Sequence, residues 1–169
     1  QAGPGVAEIA AALLTALRDE NAGVRGEAAE ALGQAGTGSA EVVAVLLDTL
    51  RDQDTGARGN AARALGQAGQ GSTEVVGALL AALRDQDAGV RRNAAGALGQ
   101  AGTGSAEVVA ALLVALRDQD SSVRGSAAEA WGRLGQGSAE VVAALLAALR
   151  DEDAGVRGGA AWALGQAGQ

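Results

Sequence analysis

Residues 39–71 read SAEVVAVLLDTLRDQDTGARGNAARALGQAGQG, and the fold is decided by how this stretch is built and reused. Ser39 precedes Ala40 and Glu41. Its hydroxyl can accept from an unpaired amide in a first helical turn, and Glu41 suits the positive end of a helix. Val42, Val43, Leu46, Leu47 and Leu50 follow at helical spacing. They form a broad apolar stripe that predicts a helix over roughly residues 40–51. Asp52-Gln53-Asp54 breaks the stripe, and Asp54 is placed to cap a second helix over roughly residues 55–67. On that helix Ala57, Ala61, Ala62 and Leu65 share the inward face, where small side chains let two helices approach closely. Ala68-Gly69-Gln70-Gly71 then ends the hairpin with residues that tolerate turn and left-handed conformations.

The same stretch returns along the whole chain. Arg18, Arg51, Arg84, Arg117 and Arg150 recur every 33 residues, as do Leu17, Leu50, Leu83, Leu116 and Leu149. Gly33, Gly66, Gly99, Gly132 and Gly165 keep the same interval. A period of this size means stacked supersecondary units, because one hairpin cannot bury its own stripe. The expected units are residues 6–38, 39–71, 72–104, 105–137 and 138–169, in one array. Residues 1–5 match residues 34–38 and read as the tail of a preceding unit. The fold class expected is therefore all-α, an α-solenoid of five two-helix repeats.

Composition narrows the chemistry. The 48% of hydrophobic residues are almost all Ala, Val and Leu, which suits thin, closely packed helices and gives no strand signal. There is no His, Cys, Met, Tyr, Phe or Lys, and all 13 basic residues are Arg. A general base of the histidine type and Cys or Lys nucleophiles are thus excluded. Disulfides and thiolate metal sites are excluded with them. The remaining carboxylates recur at repeat-locked places, which marks them as architecture, so no catalytic residue, metal or cofactor is expected. A net charge of -7 disfavours nucleic acid and anionic membranes as partners. No apolar run reaches the length of a membrane span, and a cytoplasmic protein is expected. Abundant Ala, Gly and Arg without Lys suggest a GC-rich genome.

The run from Glu41 to Asp52, then Asp54, Ala57 and Arg58, then Ala61, Ala62, Ala64, Leu65 and Gly66, resembles a HEAT-like repeat. The likeness is to the short bacterial type first noted in phycobilisome lyases and used in artificial helical-repeat scaffolds, and it covers the whole chain. It implies a ladder of Asp–Arg pairs between neighbouring units and a concave surface lined by the second helices. It implies little about function, since such repeats serve lyase subunits, sensor arrays and plain scaffolds. HEAT-like enzymes that hold iron through His–Glu pairs are excluded by the missing histidine. HEAT-like DNA glycosylases present a basic concave face, unlike this acidic chain.

Several motifs carry a choice between architecture and chemistry. Arg25, Arg58, Arg91, Arg124 and Arg157 stand in first turns of second helices, where a cation opposes the helix dipole. Such a placement needs a compensating partner, and Asp19, Asp52, Asp85, Asp118 and Asp151 are the natural ones. Asp85-Gln86-Asp87-Ala88-Gly89 has the acidic spacing of a calcium loop but lacks its glycine and glutamate positions, so a helix cap is expected. The Gly36-Thr37-Gly38 and Gly102-Thr103-Gly104 segments read as turns between units; a phosphate loop would need a lysine.

Differences between units mark either a binding face or neutral drift at solvated positions. The row Glu27, Asn60, Asn93, Ser126 and Gly159 varies, as does the row Glu30, Arg63, Gly96, Glu129 and Trp162. Arg92 departs from the glycine of its own row. The candidate partner-binding face is thus Glu27, Glu30, Asn60, Arg63, Arg92, Asn93, Ser126, Glu129 and Trp162. Trp131 replaces Leu32, Leu65, Leu98 and Leu164 and is expected in the core, under strain. The expected role is a scaffold for a protein partner, as a segment of a longer array. The alternatives are a regulatory or lyase-like accessory domain of a larger bacterial enzyme, or an engineered repeat protein without natural ligand.

The ends of the array are expected to attract one another. One end offers Ile9, Leu13, Leu14 and Leu17; the other offers Val142, Leu145, Leu146, Leu149, Ala160 and Leu164, so end-to-end self-association follows. Nearest-neighbour stability also has a direct consequence. Deleting residues 72–104 should leave a shorter, folded array; collapse of the helical circular dichroism would contradict the solenoid.

Overall fold

The apolar stripes and caps of the repeat resolve into helices throughout the computed structural model, which describes residues 4–35, 39–69, 71–101, 104–135 and 137–167. These residues form α1 (Pro4–Ala16), α2 (Ala22–Gln34), α3 (Ala40–Thr49), α4 (Thr55–Ala68), α5 (Thr73–Ala82), α6 (Ala88–Ala101), α7 (Ala106–Ala115), α8 (Ser121–Leu134), α9 (Ala139–Ala148) and α10 (Ala154–Ala167). The chain is an all-α solenoid. The turns expected at residues 36–38 and 102–103 lie outside the described residues. The first helix differs from its counterparts. It starts at Pro4, inside the stretch read as a preceding tail, because proline is well suited to an opening helical turn that needs no amide donor.

Each hairpin is set by its caps. Ser39, Ser72, Ser105 and Ser138 accept from the amides of Val42, Val75, Val108 and Val141. Asp54 accepts from Ala57 at 2.8 Å and Asp87 from Val90 at 3.1 Å, so the calcium-like acidic loop is a helix cap. Among the described residues Gly71 (φ 77°) and Gly135 (φ 62°) take left-handed backbone; Gly135 closes α8 by donating to the Trp131 carbonyl.

The even-numbered helices pack against one another along their length, whereas successive odd-numbered helices touch at few points. Their composition explains this. A Cβ added at Gly66 or Gly99 would fall only 2.7 or 2.6 Å from the Cα of Ala97 or Ala130, so α4, α6 and α8 are nearly backbone to backbone. The Val and Leu of the odd helices hold those helices further apart. Close approach on one side and wide spacing on the other bend the stack, with the even helices on its inner side. Between the sides runs one continuous core, including Val42, Leu46, Leu65, Leu79, Leu98 and Leu112. Trp131 belongs to it, buried, with its indole Nε1 lacking a hydrogen-bond partner.

Four rungs tie neighbouring units. Arg25 donates from Nε and Nη2 to both oxygens of Asp52, at 2.6 and 2.8 Å. Arg58 does so to Asp85, Arg91 to Asp118 and Arg124 to Asp151. The Nη1 of each arginine donates back to two carbonyls of its own hairpin loop, for Arg91 those of Asp85 and Gln86. Each acceptor carboxylate also binds an amide two residues on, as Asp118 does with Asp120. The hydrogen-bonded guanidinium is the main cause that holds Asp52, Asp85, Asp118 and Asp151 below the usual carboxylate pKa.

Arg91 is buried and Arg92 beside it is exposed, which makes a controlled pair. Arg91→Ala should cost about 1–3 kcal/mol, because it strands the part-buried Asp118. Arg92→Ala should cost little. The carboxylate of Asp118 is depressed in the folded state, so its stabilisation is present above the unfolded pKa and lost as pH falls through the folded one. The gap between Arg91→Ala and the parent in urea titrations should therefore close in acid and stay constant around neutrality.

Candidate partner-binding face

The inner side of the stack is made by the exposed flanks of α2, α4, α6, α8 and α10, and the variable rows lie on these helices. Asn60 and Asn93 are turned along the stack. The Asn60 amide donates to the Gly26 carbonyl at 3.1 Å, and the Asn93 amide to the Gly59 carbonyl at 2.9 Å. These side chains therefore join units. The sequence carried a signal for it: each such asparagine follows a unit with glycine at the facing position, where a Cβ would press on the amide nitrogen at 3.3 or 3.1 Å. Where the next unit has the shorter Ser126, that glycine is replaced by Arg92.

The remaining candidates divide into clusters. Glu30 and Arg63 pair across a junction at 2.7 Å, and Gln34 also donates to Glu30. Arg92 is exposed, and its Nη2 donates to the side-chain Oδ1 of Asn93 at 3.4 Å. Glu27 and Ser126 join neither group. At the far end Glu129 and Trp162 share a depression of about 310 Å3 with Arg133, Gly158 and Gly159.

That depression has a distinct chemistry. Trp162 is 44% exposed, and its ring lies over Gly132, a position where any Cβ would collide with the indole. Equivalent glycines in earlier junctions receive an alanine instead. Gly158 leaves the floor open, with no heavy atom within 4 Å of an added Cβ. Glu129 and Arg133 pair loosely at 3.3 Å on the rim. An aromatic face beside a carboxylate and a guanidinium suits an apolar or cationic side chain with a polar backbone around it. Arg133 was overlooked in the sequence, although it stands where Gln34, Gln67, Gln100 and Gln166 stand.

A second concavity lies on the outer side, between α5 and α7. It holds about 540 Å3 and is lined by Leu80, Leu83, Ala110, Ala111 and Val114 among others. Val114 is 71% exposed and stands where other units have Thr15, Asp48, Ala81 or Ala147. Among the described residues, no group of three or more acidic, Cys or His side chains is arranged to hold a metal ion. No described helix is long and apolar enough to cross a membrane.

A family model described as HEAT repeats matches residues 3–66, 43–132 and 109–169. No curated protein sequence matches. Among solved structures, the chain is similar to an engineered protein from the Northeast Structural Genomics Consortium at 26% identity and a TM-score of 0.68, covering 94% of this chain and 78% of that one. It is also similar to the complex of CpcE and CpcF of phycocyanin lyase from Nostoc sp. PCC7120, at 24% identity and a TM-score of 0.79. That match covers 93% of this chain but 64% of the other, just under two thirds of it. A designed armadillo repeat protein in complex with the peptide (KR)4 is similar at 19% identity and a TM-score of 0.65, covering 95% and 84% of the two chains. The last two likenesses concern fold alone.

The inner face depends on glycine for two different reasons, and substitution separates them. Gly66 is sealed against Ala97, so Gly66→Ala should cost about 1–3 kcal/mol by forcing two helices apart. Gly96 sits in a variable row with open space around it, so Gly96→Ala should stabilise by about 0.5–1 kcal/mol through helix propensity. Thermal unfolding of the two variants checks both signs.

Proposed function

The chain belongs to the HEAT-repeat family, and from that premise we propose that it is a non-catalytic protein-binding scaffold whose inner face holds an extended segment of a partner protein. The observation that carries this reading is the depression at Trp162. It brings a half-exposed aromatic ring, a carboxylate and a guanidinium together in one depression on the inner face. A tryptophan held against a glycine loses little freedom on binding, which is what makes aromatic anchors effective at interfaces. Glu30 with Arg63, and then Arg92, continue the polar lining toward the other end of the same face. The missing His, Cys and Lys, together with repeat-locked carboxylates, support binding rather than catalysis. We place the partner among proteins rather than nucleic acids because the chain carries a net charge of -7. The likeness to the short bacterial repeat type favours the cytoplasm of a bacterium as its setting.

The test is a selection of random displayed peptides on the immobilised chain, followed by affinity measurement of the recovered peptides. Trp162→Ala should weaken the recovered peptides by about 10-fold or more, as loss of an aromatic hot spot does. Val114→Ser, in the outer groove, should leave them unchanged. Peptides that ignore Trp162 and respond to Val114 would move the binding face to the outer side and refute the proposal.

A further inference from the structure

A partner on the inner face leaves the outer side of the stack unused, and α7 stands out on that side. Glu107, Ala110, Val114 and Arg117 are all exposed and lie three or four residues apart, so they form one line along the solvent face of the helix. Val114 is 71% exposed, an apolar ridge in the middle of that line. Arg117 and Arg84 both line the concavity of about 540 Å3 between α5 and α7, and among the described residues neither has a salt-bridge partner. The equivalent line on α3 is closed on itself, because Asp48 replaces the valine and takes Arg51 at 3.6 Å. On α5 the line reads Glu74, Gly77, Ala81 and Arg84, with no ridge.

The α7 line is complementary to itself when reversed. About a centre at Leu112, an antiparallel copy sets Arg117 opposite Glu107 and Val114 opposite Ala110, each pairing occurring twice. A parallel copy would set Glu107 against Glu107 and Arg117 against Arg117. Antiparallel helices also oppose their dipoles. The small side chains of Ala110 and Ala111 let a second helix come close, and they form a wall of the concavity where a valine ridge fits.

We propose that a second copy of this chain docks on the outer side, α7 against α7, antiparallel about a two-fold axis. Val114 of each copy lies over Ala110 and Ala111 of the other. The two Glu107–Arg117 pairs fix the direction, since exposed ion pairs contribute more to orientation than to strength. The contact is isologous, so it closes at two copies. One helix pair on a convex face buries less than a standard interface, and the dimer is correspondingly weak. The two inner faces point away from each other and both stay open to a partner.

Sedimentation equilibrium from micromolar to millimolar concentration tests this, with circular dichroism to show that each variant stays folded. The parent chain should approach twice its mass and no more. Val114→Asp should stay monomeric. Glu107→Arg alone and Arg117→Glu alone should also stay monomeric, because like charges then meet at both ends of the helix pair. An equimolar mixture of the last two should dimerise again, since one copy then offers only guanidinium and the other only carboxylate along the line. Misfolding and nonspecific apolar contact give no such mixture effect. All three positions lie away from Trp162 on the opposite side of the stack, so peptide affinity at the inner face should not change, and the two proposals fail separately. A parent chain that stays monomeric at millimolar concentration, a mass that climbs beyond two copies, single variants that associate as the parent does, or a mixture that stays monomeric would each overturn the proposal.

Discussion

A guanidinium in the first turn of each inner helix sits against the positive end of that helix's dipole, and the stack depends on how this conflict is resolved. In the third unit, Nη1 of Arg91 binds the carbonyls of Asp85 and Gln86, while Nε and Nη2 grip Asp118 in the fourth. One side chain therefore fixes three things together: the loop of its own hairpin, the start of the inner helix and the position of the next unit. The aspartate is oriented in turn by the Asp120 amide, so neither partner is free to swing. Four such rungs set the spacing at one edge of the stack. The glycine–alanine contacts between inner helices set it at the other. With both fixed on the inner side, and with the Val and Leu of the outer helices holding those helices further apart, the stack bends.

Much of this was legible in the residues because the units repeat. A serine, an apolar stripe, two aspartates and an arginine that return together announce a hairpin, its caps and a paired ladder. Periodicity says which side of a helix is apolar. It does not say whether that side meets the helix of its own hairpin or the next unit. For that reason Leu17, Leu145 and Ala160 were assigned to an end surface although they are buried. The candidate face suffered from the same blindness. Asn60 and Asn93 are polar and variable, as binding residues are, yet their amides bind Gly26 and Gly59. Glu129 and Trp162 were recognised one by one, but their shared depression depends on Arg133 and on two glycines that carry no chemistry of their own.

The inner face is consequently encoded by pairs of units rather than by units. An asparagine reaching back along the stack is accompanied by glycine in the unit before it, since a Cβ there would crowd the amide. Where the following residue shortens to Ser126, the glycine can give way to Arg92, and a charge enters the groove. Trp162 makes the same demand more severely, because its ring occupies the space of any side chain at position 132. Asn60, Asn93 and Trp162 are thus each coupled to a glycine in the neighbouring unit, and shuffling whole units would break the coupling while preserving every hairpin. The polar groups along this face come in pairs: Glu30 with Arg63 and Glu129 with Trp162 across junctions, and Arg92 with Asn93 within one unit. Two of these three pairings exist only because adjacent units are held at one spacing. Weakening a rung should therefore loosen the pairings along the inner face even where none of their side chains has changed.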